Sequence, residues 1–96
     1  RGVVIKQANY TAVNGDEIAA DTSTVGAFTV TLPASPSLGD KVKVFDLYGT
    51  FSANNLTIGR NGSDIMSIAD DLLLNKDNQS IELTYTDATA GWVLTG

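Results

Sequence analysis

The chain has 96 residues, with no Cys and no His, and its 11 acidic and 6 basic residues give a formal net charge of -5. This length suits one domain with a modest core, and the missing Cys excludes disulfides and thiolate metal sites as supplements to it. The missing His removes the commonest catalytic base and metal ligand. Because nucleic acids and anionic membranes attract basic surfaces, neither is an expected partner.

The polar residues are mainly Thr, Ser, Asn, Asp and Gly, which favour strands and turns over helices. Short runs of alternating apolar and polar residues recur between turn signals. This pattern predicts an all-β fold, a small antiparallel β-sandwich or barrel-like domain of about 7–9 short strands.

In the first half of the chain, Asn14-Gly15 lies between two short apolar runs and predicts a hairpin, because both residues tolerate a positive φ. The next run alternates cleanly and ends at Pro33, since proline cannot donate to a strand ladder. The predicted strands here are residues 10–13, 16–20, 27–32 and 41–46.

In the second half, residues 63–74 fit a helical stripe loosely, but strands are preferred because the flanking elements are strands. No repeat of fixed period is visible, so the sequence does not predict a solenoid. The predicted strands are residues 56–58, 65–68, 72–74, 80–86 and 92–94.

The polar residues do not form a pattern typical of catalysis. Hydroxyl groups are abundant, but no His is available to activate one. The adjacent carboxyl groups of Asp16-Glu17 and Asp70-Asp71 point to opposite faces of an extended chain, so they do not converge on a substrate. The oxygen-rich residues 75–78 lack the spacing of a calcium-binding loop. We therefore expect no catalytic residues, no cofactor and no metal.

Two surfaces are candidates for binding. We expect a subunit interface at three apolar residues on otherwise solvent-facing positions, Phe45, Leu47 and Leu73.

The alternative is a carbohydrate-binding site for bacterial surface polysaccharide. Tyr48 is the best candidate for an exposed aromatic ring, which would stack on a sugar, while Asn54, Asn55 and Asn61 would supply hydrogen bonds from loops.

An ordered set of short motifs between about Asn9 and Leu94 resembles a module found in tail fibre and tailspike proteins of tailed bacteriophages. No single motif is diagnostic, and the resemblance rests on their order. The residues that carry it are Tyr10-Thr11-Ala12-Val13-Asn14-Gly15-Asp16, Asp21-Thr22, residues 26–33, Pro36, Gly39-Asp40, Asp46, Phe51, residues 54–58, Arg60-Asn61-Gly62 and Gly91-Trp92.

The resemblance implies a β-rich, non-catalytic structural domain of a homotrimeric fibre, which acts as a spacer, a trimer-forming unit or a receptor-contacting tip. Residues 9–96 would form the module, and residues 1–8 a linker or the end of a preceding module. The expected partners are two further copies and other modules of the same fibre. The protein would act in host adhesion as part of the virion, after synthesis in the cytoplasm of the bacterial host.

Overall fold

The computed structural model of the chain describes residues 2–96, and within them every regular element is a strand. The all-β prediction is confirmed, and the nine strands lie within the predicted range. They are β1 (Val3–Lys6), β2 (Tyr10–Thr11), β3 (Glu17–Ala20), β4 (Phe28–Thr31), β5 (Lys41–Asp46), β6 (Leu56–Gly59), β7 (Leu72–Leu74), β8 (Ser80–Tyr85) and β9 (Trp92–Leu94).

The strands form a five-stranded sheet in the order β1-β3-β5-β8-β9 and a four-stranded sheet in the order β2-β4-β6-β7. Pairing is parallel from β1 to β5 and from β2 to β6, and antiparallel at β5-β8, β8-β9 and β6-β7. The expected antiparallel arrangement was therefore wrong, because both sheets are mixed. The barrel-like alternative was wrong too, since each sheet has two edge strands instead of closing on itself.

The first six strands alternate between the two sheets, so this part of the chain makes three stacked turns of a two-sheet coil. The sequence shows no period because the turns differ in length. Glu17 pairs with Val3, 14 residues earlier, and with Lys43, 26 residues later. Because the connections between the strands differ in length, the coil is not visible as a sequence repeat and is identified from the strand pairing.

Asn14-Gly15 forms a tight turn, with Gly15 at a φ of 89°, but no hairpin. The strands on either side, β2 and β3, belong to different sheets and do not pair. The predicted hairpin was wrong because a turn signal fixes a local change of direction and leaves the partner of each strand open.

Residues 65–68 form a tight loop instead of the predicted strand, and no helix covers residues 63–74. Ile65 and Ile68 meet in an isolated bridge, and Met66 and Ser67 have φ angles of 51° and 64°. The apolar residues that suggested a strand here turn the chain back on itself.

The core lies between the two sheets and takes alternate residues from their strands. In β4, for example, Phe28 and Val30 are buried and Thr29 and Thr31 are half-buried on the other face. The largest fully buried side chains are Trp92, Phe51, Ile18, Leu32, Leu56, Ile58, Leu74 and Leu83. We call the side of each sheet that faces this core its inner face, and the opposite side its outer face.

Strand β1 pairs with β3 along its whole length, so residues 3–6 are part of the five-stranded sheet. The boundary between residues 8 and 9 as the start of a module stays a prediction. Within residues 2–96 no helix is long and apolar enough to cross a membrane.

Candidate functional site

The buried carboxyl groups are the first candidates for chemistry, because burial can give acidic side chains an unusual reactivity. Asp16, Asp21 and Asp46 are all buried. Each of them lies where the chain leaves or enters a strand.

Asp46, the last residue of β5, accepts four backbone hydrogen bonds. Its Oδ1 accepts from the N–H groups of Gly49 and Thr50, both at 3.1 Å, and its Oδ2 from those of Phe51 and Asn78, at 3.1 and 3.0 Å. These donors occupy the lone pairs that a metal or a substrate would need. Asp46 therefore holds two loops together and is not available for catalysis.

Asp21 follows β3, and residues before and after it in the chain donate hydrogen bonds to it. Its carboxylate accepts hydrogen bonds from the backbone and hydroxyl of Ser23, from the Thr24 hydroxyl and from the Gln7 amide. The Ser23 hydroxyl bond is the largest cause that lowers the pKa of Asp21 from 3.8 to about 2, while desolvation opposes it. The ionised carboxylate thus fixes the first turn of the coil.

Asp16 precedes β3 and accepts hydrogen bonds from the Tyr10 hydroxyl at 2.7 Å and from the Val13 N–H at 3.0 Å. It stabilises the turn at Asn14-Gly15. Among the residues that the structure describes, no three His, Cys, Asp or Glu side chains converge as a metal site would need. The three buried acids have hydrogen-bond partners within the fold.

The residues predicted to bind a glycan fall into two groups. Tyr48 is 64% exposed, and Asn54 and Asn55 lie in the same connection between β5 and β6. Both amides are used within the fold, since Asn54 donates to the Thr22 carbonyl and Asn55 to that of Phe51.

Asn61 belongs to the second group. It follows the far end of β6 and donates to the Leu32 carbonyl at 3.0 Å. A strand advances about 3.3 Å per residue, so β6 separates Asn61 from Asn55 by roughly 15 to 20 Å. The structure brings Tyr48, Asn54 and Asn55 into one loop and places Asn61 elsewhere.

The three residues predicted to form an interface also lie on two different surfaces. Phe45 is half-buried on the outer face of the five-stranded sheet, and Leu47 follows directly after that strand. Leu73 is exposed on the outer face of β7, in the other sheet. Within one chain these two outer faces point in opposite directions.

Phe45 belongs to an apolar row across three strands. Strand register aligns Ile5, Ala19 and Phe45 on the outer face of the five-stranded sheet. Ala19 is buried between its two large neighbours, whereas Ile5 is 62% exposed. Sequence alternation identified Phe45 but missed Ile5 and Ala19, because only the register places them beside it.

A cavity of about 210 Å³ opens beside the start of β7. It is smaller than the roughly 300 Å³ at which pockets for small molecules begin, so it suits a side chain and not a whole cofactor. Sequence reasoning missed it because the left-handed backbone at Met66 and Ser67 has no glycine to signal it. Its lining is Ile65, Met66, Ile68, Asp70, Asp71 and Leu72.

Comparison with models of known protein families found no match, and comparison with curated proteins also found none.

Proposed function

We propose that this chain is a non-catalytic structural module of a bacteriophage tail fibre or tailspike. It associates with further copies of itself, as a homotrimer, and serves virion assembly and attachment to the host. The phage assignment rests on the ordered sequence resemblance between about Asn9 and Leu94. The structural role is supported by carboxylates that are engaged within the fold.

The observation that carries self-association is the apolar row on the outer face of the five-stranded sheet. On this face Ile5 is 62% exposed and Val3 54%, while Phe45 is half-buried. A chain of 96 residues has a modest core, and oligomerisation is a usual way to supplement one. Copies of the same chain are the occupant we propose for this face.

The test is the mass in solution, measured by light scattering after size-exclusion chromatography. A trimer has three times the 10.1 kDa of one chain. Phe45→Asp should lower the mass, because burying an unpaired charge in an apolar contact is costly. Thr29→Asp is the matched control, since Thr29 is half-buried on the outer face of the other sheet, and it should leave the mass unchanged.

A monomer at every concentration up to the millimolar range would contradict self-association. A Phe45→Asp variant with the mass of the unaltered chain would contradict this face as the contact. Circular dichroism of each variant establishes that it is folded.

A second candidate function is recognition of bacterial surface polysaccharide, which Tyr48 favours because its ring is 64% exposed on a loop. Aromatic rings on loops are suited to stacking on sugars. We expect Tyr48→Ala to abolish binding to host polysaccharide, measured by calorimetry. Leu38→Ala is the control, since Leu38 is 81% exposed but lies in a different loop. Binding that survives Tyr48→Ala would exclude this site.

A further inference from the structure

The described part of the domain has four edge strands, and two of them, β1 and β7, are longer than the two-residue β2 and are open to pairing with another chain. Strand β1 ends the five-stranded sheet and β7 ends the four-stranded sheet. The edge at β9 is different, because the Trp92 N–H donates to the Asp64 carbonyl and the Trp92 carbonyl accepts from Met66. An open edge presents backbone donors and acceptors in a row and is a template for an added strand.

The direction of the backbone groups identifies which residues face outward on β1. The Lys6 carbonyl accepts a hydrogen bond from Asp21, so Lys6 faces β3. Backbone direction alternates along a strand, and the N–H and C=O groups of Val3 and Ile5 therefore point away from the sheet.

The same reasoning applies to β7. The Gly59 carbonyl accepts from Leu32, so Gly59 faces β4 and its neighbour Ile58 faces β7. Ile58 pairs with Leu72, which leaves the N–H and C=O groups of Leu73 pointing outward.

The side chains at the two edges also match. Val3 and Ile5 on β1 and Leu73 on β7 are each at least half exposed on an outer face. On the inner side, Val4 is half-buried at the end of the core.

At the β7 edge, the cavity described above takes the inner-side position that Val4 takes at the β1 edge. Its lining is apolar apart from Asp70 and Asp71. Lys6 on the inner side of β1 carries the opposite charge, and its ammonium lies 4.1 Å from the centre of the Tyr10 ring. The edges therefore complement each other in backbone, apolar surface and charge.

We propose that β1 of one copy pairs with β7 of a second copy. The inference rests on the proposed self-association and adds an edge contact to the apolar row at Phe45, and both contacts are needed for stable assembly. The contact joins two different surfaces, so each copy offers one free edge to the next, and such contacts either close into a ring or extend into a filament. A homotrimer is a closed ring of three such contacts.

Pairing of these edges makes the five-stranded sheet of one copy continuous with the four-stranded sheet of the next. Leu73 of one copy then lies on the same outer face as Ile5 and Phe45 of its neighbour. Residues that a single chain places on opposite faces become one apolar surface in the assembly.

Proline substitution at each edge tests the pairing. In Ile5→Pro and Leu73→Pro the lost N–H faces outward, so no hydrogen bond within the chain is removed, and proline is tolerated on edge strands for that reason. We expect each variant alone to be a monomer of 10.1 kDa by light scattering. A mixture should give a dimer and nothing larger, because Leu73→Pro retains β1 and Ile5→Pro retains β7.

The outcomes separate the contact from the proposed function. If the unaltered chain assembles and both proline variants still assemble alone, the edge pairing is wrong and self-association stands. If Leu73→Pro alone forms a dimer, β1 pairs with itself and the proposal is overturned. If the unaltered chain is monomeric, the edge pairing and the proposed self-association are both wrong.

Cysteine cross-linking provides a measurement that does not depend on proline. The chain contains no Cys, so an introduced pair is unambiguous. We expect Ile5→Cys mixed with Leu73→Cys to give a disulfide-linked dimer on oxidation, in excess over either variant alone. Ile5→Cys mixed with Leu38→Cys is the control, and equal cross-linking in both mixtures would refute the pairing.

Discussion

Gly91 is the glycine whose backbone lies closest to another segment of the chain. Its φ is 70°, and a Cβ added there would collide with the backbone carbonyl of Asp64. The same carbonyl accepts a hydrogen bond from the Trp92 N–H at 2.9 Å. The absence of a side chain at Gly91 thus allows the loop after β6 to bond to the start of β9.

We expect Gly91→Ala to lower the free energy of unfolding by about 3 kcal/mol or more, since the Cβ must displace backbone as well as accept a positive φ. Gly62→Ala is the matched control, because its φ is 87° but nothing lies within 4 Å of the added Cβ. It should cost about 1 kcal/mol, the strain of the left-handed conformation alone. Urea denaturation measures both, and equal losses would show that the close approach to Asp64 is unimportant.

Asp21 should make stability depend on pH in the acid range. Its pKa in the folded chain is lowered to about 2 from 3.8, so its contribution is complete above pH 4 and is lost as pH falls through 3.8 towards 2. We expect the urea midpoint to fall between pH 5 and pH 2, and to fall less in Asp21→Asn.

Asp70→Asn is the control for this pH dependence, because Asp70 is exposed and has no hydrogen-bond or ion-pair partner among residues 2–96. It should retain the acid sensitivity of the unaltered chain. A variant at Asp21 with undiminished sensitivity would mean that other carboxyl groups are responsible.

Among the elements, β5 holds the five-stranded sheet together. It pairs in parallel with β3 on one side and antiparallel with β8 on the other, so sheet polarity changes at this strand. Its six residues make it as long as any other strand, and Val42 and Val44 are fully buried in its centre. Strand β2, with two residues at an edge, is the opposite case.

Hydrogen exchange should follow this difference. We expect the paired amides of β5 to exchange by opening of the whole domain, and those of β2 by local fraying, which requires less free energy. Exchange measured by NMR at low protein concentration, where self-association is weakest, compares the two strands. Equal protection in β2 and β5 would show that the edge does not open independently.

For the whole molecule, the coil makes folding depend on contacts between distant residues. Phe28 in β4 pairs with Leu56 in β6, and Glu17 in β3 with Lys43 in β5. Loops of this length must close before parallel pairing stabilises them, which slows folding.

We therefore expect refolding to take milliseconds to seconds, as it does in other all-β domains that depend on pairing between distant residues. Trp92, the only Trp and fully buried, reports the change by stopped-flow fluorescence. Rates measured over a range of protein concentration separate folding from association, since only association depends on concentration. Relaxation within microseconds would contradict the role given to distant pairing.

The sequence by itself determined the all-β class and the faces of the clearest strands. Alternation at Phe28 and Val30, and at Val42 and Val44, follows from the two-residue period of a strand, which is a local property. The lack of His and Cys likewise limits the available chemistry, because composition is the same in every fold that the chain could adopt.

Only the tertiary structure decided the partner of each strand. The turn at Asn14-Gly15 is the same locally whether β2 and β3 form a hairpin or pass between sheets, and the choice depends on the distant strands β4 and β5. The row of Ile5, Ala19 and Phe45, and the cavity at Ile65, likewise exist because register and packing bring separate segments together. Pairing energies of this kind join residues far apart in the chain, so no local pattern encodes them.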